Sequence, residues 1–352
     1  MNGGGRATVL VTGNEGYIGS VLTDRLLELG HRVIGLDTGA FRDVAFLRPR
    51  HAPHVQITKD IRDAEAADFA GVDAVVHLAA LSNDPLGSLR PQATHAINHH
   101  ATVRVAEAAR KAGVSRFLFS SSCSMYGVQS DGLVDEDAPL HPQTPYAEAK
   151  VAAERDLARL ADSGFTPVFL RNATVFGISP RLRLDLVVQN LAAWGYTTGT
   201  IAILSDGTPW RPLVHVEDVA EAFRVFLEAP RDAVHGRAFN VGHPDNNVQV
   251  RDIAAMVREE LPECRVDIRN ENPADNRSYR VAFDRALALG FRPRRNVADG
   301  AREVVAAFRA APLVRADLDS DAYVTLSRYR RLMAEGVLDD ELRLRADLAD
   351  RR

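Results

Sequence analysis

Apolar positions along the chain follow two alternating rhythms. Residues 7–12, ATVLVT, form a short unbroken apolar run rich in β-branched residues, the pattern of a strand buried on both faces. A helix opens in the following YIGSVLTDRLLELG, and Gly30 ends it. HRVIGLD (31–37), VQITKDIRD (55–63), VDAVVHLAA (72–80) and SRFLFSSS (115–122) read as the second to fifth strands. HAINHHATVRVAEAARKAG, between the last two, reads as a helix, and so does PYAEAKVAAERDLARLA from 145, through its Ala, Glu, Lys, Leu and Arg content. From about 312, the spacing of Leu, Tyr and Met predicts one or two amphipathic helices, packed on their own domain or on a second subunit.

Strands alternating with helices predict an α/β fold with a doubly wound parallel sheet of Rossmann type. At 352 residues the chain exceeds one average domain, and a smaller partner domain is the natural complement. Apolar content of 46% and charged content of 26% are those of a soluble globular protein. A formal charge of -4 offers no footprint for nucleic acid or an anionic membrane. No apolar run approaches the roughly 20 residues of a membrane span. The N-terminus enters a strand without a signal-peptide layout, and Cys123 and Cys264 cannot build a disulfide framework, so a reduced, cytoplasmic setting is expected.

Candidate chemistry starts at Gly13, Gly16 and Gly19, between a strand and a helix. Glycines there let the backbone approach a pyrophosphate, while the helix N-terminus offers amide donors and a positive dipole end. Asp37 ends the second strand at about the 20-residue distance expected of an acid that binds the adenosine ribose, which favours NAD. Arg42, close behind, keeps NADP as the lesser alternative, since an arginine there can accept a 2′-phosphate. Asp60 and Ile61, and Leu78 to Ala80, stand at strand ends as candidate walls of an adenine pocket. His77, ending an apolar strand, reads as structural. His95 and His99 lie one turn apart with His100 beside them, but no third-ligand motif accompanies them, and no metal site is expected.

Tyr146 and Lys150 stand in Tyr-x-x-x-Lys spacing, which a helix brings to one face. A tyrosine titrating near about 10 is a poor base at neutral pH; an adjacent ammonium is expected to favour its phenolate. The chain has only three lysines, Lys59, Lys111 and Lys150, all other basic side chains being arginine, which suits a point charge wanted at 150. The strand ending in Ser122 delivers a hydroxyl to the same sheet edge. No Gly-x-Ser-x-Gly elbow marks a serine nucleophile, and Cys123 has no evident activating partner.

With TGNEGYIG, Asp37, VVHLAA, SSSCSMYG and PYAEAK in that order, the chain resembles the extended short-chain dehydrogenase/reductases, in the branch acting on nucleotide-diphosphate sugars. The resemblance runs from about residue 7 to about 310. It implies Ser122, Tyr146 and Lys150 as the catalytic set. It implies cofactor contacts at Gly13, Gly16, Tyr17, Ile18, Gly19, Asp37, Asp60, Ile61, Leu78, Ala79, Ala80 and Ser120, besides Tyr146 and Lys150, with Asn98 bracing the lysine through the backbone. On the substrate side it implies Ser122, Ser124, Asn172, Thr174, Asn190 and Leu191, with Arg211 neutralising phosphate and Arg277 replacing an arginine absent just before Asp275. GRAFNVG (236–242) is expected to return the chain to the sheet. The implied division is a cofactor domain over 1–175, completed by about 211–242, a substrate domain over 176–210 and 243–311, and a helical extension over 312–352.

Departures from the family pattern narrow the reaction. Members that dehydrate carry Asp-Glu after the catalytic threonine, and those that decarboxylate carry Glu two places after it; Cys123 and Ser124 stand there. The 3,5-epimerase branch has cysteine where this chain has Ser124, whereas a small hydroxyl residue is similar to the 4-epimerases. The resemblance thus implies an NAD-dependent epimerase working through a transient 4-keto sugar, as a homodimer. A 4-keto-sugar reductase using NAD(P)H is the alternative, and a non-catalytic NAD-binding protein a third possibility. The base and the sugar stay open.

Overall fold

In the computed structural model, which describes residues 6–82, 84–269 and 277–345 with the side chains of 129–131 excepted, the apolar runs form seven strands. These are β1 (Thr8–Thr12), β2 (Arg32–Asp37), β3 (Val55–Thr58), β4 (Ala74–His77), β5 (Arg116–Ser122), β6 (Thr166–Asn172) and β7 (Ala238–Val241). They pair in parallel in the order β7-β6-β5-β4-β1-β2-β3. The segment around GRAFNVG therefore does close the sheet, against β6. The helices of ten residues or more among the described residues are α1 (Tyr17–Glu28), α2 (Thr102–Lys111), α3 (Pro145–Ala158), α4 (Val187–Thr198), α5 (Val216–Glu228), α6 (Val250–Glu260), α7 (Val297–Ala310) and α8 (Thr325–Ala334).

Strand alternation sorts the sheet residues into two cores. Val9, Val11, Leu118 and Leu170 join the side chains of α1 and α5 on one face, while Leu10, Phe117, Phe119 and Phe169 join those of α2 and α3 on the other. Both faces are covered, which is why the strands read as unbroken apolar runs rather than alternating ones. A third core gathers α4, α6 and α7 around Phe176, Leu213 and Ile201, beside the carboxyl ends of the sheet.

Local differences from the sequence pattern have plain causes. The third strand stops at Thr58, because the Asp60 carboxylate accepts from the amide of Arg62 at 2.8 Å and starts a 3-10 turn over Ile61–Asp63. The helix before β5 opens with a π-helical turn over Ala96–Ala101. The tail yields one α-helix, α8, preceded by a 3-10 turn and followed by a bridge between Leu338 and Leu344. Asp275 and residues 346–352 lie outside the described residues. No helix among the described residues is long and apolar enough to cross a membrane.

Candidate active site

Chain order reverses at β1: β2 and β3 extend one way, and β4 resumes on the other side. Such a switch opens a crevice beyond the strand ends, where ligands of doubly wound sheets bind. Here it is a cleft of about 570 Å³. Gly13, Gly16, Tyr17, Ile18 and Gly19 line its floor, with Leu78, Ala79 and Ala80 opposite.

The floor fits a dinucleotide. Gly13 has φ +73, and a Cβ there would stand 2.8 Å from the backbone nitrogen of Ala79. A Cβ on Gly19 would stand 2.0 Å from the Gly13 carbonyl oxygen, so only glycine lets α1 start this close to β1. No side chain caps the N-terminus of α1, which leaves its amides for an anion. At the end of β2, the Asp37 carboxylate accepts from the amides of Gly39 (3.0 Å) and Glu15 (3.2 Å). Burial, and then the charge of Glu15, raise it to about 6. Arg42 pairs with Glu15 at 2.9 Å and donates to the Thr58 hydroxyl at 3.0 Å. A 2′-phosphate there would meet two carboxylates and an arginine already engaged, which disfavours NADP. Asp60 and Ile61 line the same end of the cleft.

At the other end stands α3. Thr144 caps it by accepting from the amide of Ala147 at 3.2 Å, and Pro145 takes its first position. Tyr146 and Lys150 both line the cleft, beside Ser120, Ser122 and Ser124 at the end of β5. Lys150 is 2% exposed; its amine donates to the Ser120 carbonyl at 2.7 Å and lies 5.7 Å from the centre of the Tyr146 ring. Burial lowers Lys150 to about 7, against the raising influence of Glu154 one turn on. Tyr146 is pushed up to about 12 by burial and then by the charge of Asp84, while a hydrogen bond with Ser122 and the charge of Arg183 pull it down. Arg183 is thus the cation that pulls the phenol down, while the Lys150 amine is engaged with the Ser120 carbonyl. The Ser122 hydroxyl donates to that of Ser124 at 2.9 Å.

Behind these groups lies a buried ion pair. The Arg171 guanidinium meets the Glu154 carboxylate at 2.7 Å, and also donates to the Tyr126 hydroxyl and the Glu136 carbonyl, both at 3.0 Å. It ties β6 to α3 and to the turn after Ser122. The Cys123 thiol donates to the Arg171 carbonyl at 3.1 Å, and burial raises it far above its usual range, which leaves it inert.

Other sequence candidates divide. Asn172, Thr174, Arg211 and Arg277 line the cleft. The Asn172 amide donates to the Ser120 hydroxyl at 3.0 Å, while its buried oxygen has no hydrogen-bond partner among the described residues. Asn190 and Leu191 do not line the cleft: Asn190 donates to the Leu184 carbonyl at 2.9 Å, and Leu191 packs in the third core. Asn190 is half-buried on α4, and Leu191 is buried beside it. Asn98 holds Leu81 at both ends, accepting from its amide at 2.8 Å and donating to its carbonyl at 3.0 Å, and its own carbonyl accepts from Thr102; the direct brace on Lys150 is Ser120. His77 bonds Thr12 and Thr102, and burial lowers it to about 3. His99 pairs with Asp156 at 2.7 Å.

Sequence reasoning missed several lining groups. Asp84 accepts from the Thr144 hydroxyl at 2.7 Å and pairs with Arg277 at 2.6 Å, and Arg183 pairs with Asp185 at 3.0 Å and donates to the Ser82 hydroxyl at 3.1 Å. Thr325, Tyr329, Leu338, Leu342 and Leu344 bring the tail to the cleft as well. Asp84 opens a short helix, Asp84–Leu89, beyond the carboxyl end of β4, a position that could have pointed to it; nothing local in the sequence marks the tail.

The model of the NAD dependent epimerase/dehydratase family matches residues 9–242. A UDP-glucose 4-epimerase of Mycolicibacterium smegmatis is 36% identical over 247 residues, 66% of this chain and 76% of that protein. Among solved structures, a UDP-glucose 4-epimerase from Thermotoga maritima with UDP-glucose matches at 25% identity and TM-score 0.75, covering 86% of this chain and 99% of that one. A UDP-glucose 4-epimerase from Stenotrophomonas maltophila, with bound NAD and formylated UDP-arabinopyranose, matches at 28% identity and TM-score 0.75, covering 87% and 99%. A glycine cradle at the strand-order switch, an acid ending β2 and the Tyr-x-x-x-Lys pair agree with that match over two thirds of the sequence, and the chain belongs to the NAD-dependent epimerase/dehydratase family of extended short-chain dehydrogenase/reductases, as an NAD-dependent enzyme.

Proposed function

We propose that this protein is a nucleotide-diphosphate-sugar 4-epimerase. The observation that carries the proposal is the convergence of Ser122, Tyr146 and Lys150 at one end of a cleft whose other end holds the glycine cradle and Asp37. Gly13, Gly16 and Gly19 would lie under the pyrophosphate of NAD, Asp37 on its adenosine ribose and Lys150 on its nicotinamide ribose. Bound there, NAD would supply a reversible hydride acceptor for C4 of the sugar.

The chain's own residues do the rest. Tyr146 takes the C4 hydroxyl proton and gives it back, and Ser122 holds the oxygen between the two events. Burial pushes the phenol up to about 12, so its working form depends on cations gathered beside it. Arg183 already pulls it down, and any protonated fraction of Lys150 adds to that pull. Arg211 and Arg277, which line the cleft, would meet phosphate oxygens. The 4-keto sugar turns over before the hydride returns.

UDP-glucose is the first substrate to test, because the relatives above act on it or bind it. Purified protein that interconverts UDP-glucose and its 4-epimer without added NADH supports the proposal; consumption of NADH in step with product points instead to the 4-keto-sugar reductase. Asp84 favours one further reading, a dehydratase, since it brings to Tyr146 the carboxylate that Cys123 and Ser124 lack. A product lighter by one water would establish that. Homodimer formation belongs to the same proposal and is read by sedimentation.

A further inference from the structure

The C-terminal tail has no part in the reaction described above, yet five of its residues line the cleft at the end that holds Asp37 and Asp60. Tyr329, on α8, lies 5.9 Å ring to ring from Phe41, itself a lining residue just after β2. Leu342 turns through a left-handed backbone conformation, φ 59, which is costly for a side chain of its kind, and is buried with Ile61 and Leu36. Leu338 packs with Ala40.

Anchors hold this strap at both ends. Arg328, wholly buried, donates to the Ala40 carbonyl at 3.0 Å and pairs with Asp43 and Asp321. Arg62, two residues after Asp60, donates to the carbonyls of Glu341 (2.7 Å) and Leu342 (3.3 Å), and Asp63 pairs with Arg343 at 2.8 Å. Within 325–344 the strap is thus fastened mainly to the two loops that follow the ribose-side acids, with Asp340 also pairing with Arg90 at 3.2 Å, while Ala322 and Tyr323, just before it, accept from Arg181 and Leu184 beside the third core. The charges of Asp37 and Asp60 both reach the Tyr329 phenol and raise it, after burial, which places it on their side of the cleft.

We infer that residues 325–344 form the outer wall of the adenosine pocket, with Tyr329 as a direct adenosine contact, and that the strap must lift for NAD to leave. The inference rests on the dinucleotide occupying this cleft. It deepens the epimerase proposal, because a reaction that regenerates its cofactor gains from one that stays bound.

The test is the rate at which NAD leaves the full-length protein. Tyr329→Ala and the Leu338→Ala/Leu342→Ala double variant are expected to release NAD at least tenfold faster, and NAD is expected to slow amide hydrogen exchange across 325–344 in the unaltered protein. Gly19→Ala serves as the control for the cleft. If Gly19→Ala abolishes NAD binding while the strap variants release NAD at the unaltered rate, or if NAD leaves exchange in the strap unchanged, the strap inference is overturned and the cleft assignment stands. If Gly19→Ala binds NAD normally, both fall. The exchange measurement decides even if a variant does not fold.

Discussion

In the proposed reaction Tyr146 carries the proton and Asp37 holds the cofactor, and burial pushes both groups up from their ordinary values. Replacing Tyr146 by Phe removes the proton carrier but none of the cleft floor. Turnover is expected to fall by about 10²–10⁴, with NAD binding retained; the pair of measurements separates a lost acid/base from a lost site. Asp37 gives a pH signature. In the free protein its carboxyl is raised to about 6, so below that pH it is mostly protonated and cannot accept from both ribose hydroxyls. Bound NAD favours the ionised form, so affinity should rise with pH through about 6 and flatten above, as titration calorimetry at several pH values would show. Asp37→Asn should remove the dependence; a wild-type profile flat from pH 5 to 8 contradicts it. These residues were legible because spacing carries them: a Tyr and a Lys one turn apart, an acid at a strand end. Their electrostatics were not. Nothing in Tyr-x-x-x-Lys says that the amine will face the Ser120 carbonyl, or that Asp84, some sixty positions upstream, will sit near the phenol.

Helix α3 is the element that must not move, since it carries both Tyr146 and Lys150. Its cap fixes the start, and the Arg171–Glu154 pair, each side chain 8% exposed, fixes it one turn beyond Lys150. Arg171→Met leaves the Glu154 carboxylate buried without its partner and should destabilise the protein by about 3–5 kcal/mol, read from denaturant midpoints; the double change with Glu154→Leu should recover part of that loss. Strands of the sheet were readable because burial on both faces leaves unbroken apolar runs. The packing of Asn190 and Leu191 was less readable: sequence order cannot tell which face of α4 meets the cleft and which meets the third core. The π-helical turn around Asn98 was equally invisible, since the residues suit an ordinary helix.

At the scale of the whole molecule, three large packed cores flank the cleft among the described residues, two on the faces of the sheet and one beyond its carboxyl ends, with a small fourth one of Ala40, Leu332 and Leu338 under the tail. A doubly wound sheet could be inferred from the order of runs alone, and the switch point then dictated where a ligand must lie. The return of the tail across the cofactor end could not, because its contacts join residues nearly three hundred positions apart, such as Arg328 and Ala40. That closure fits an enzyme that oxidises and reduces the same sugar without exchanging its coenzyme. The most direct measurement uses UDP-glucose deuterated at C4, incubated with the protein in ordinary water and followed by NMR and mass spectrometry. Deuterium retained at C4 in both epimers, with no solvent hydrogen entering the ring, is the predicted result. Loss of the label to water, or a product missing one water, contradicts transient oxidation at C4 with return of the same hydride.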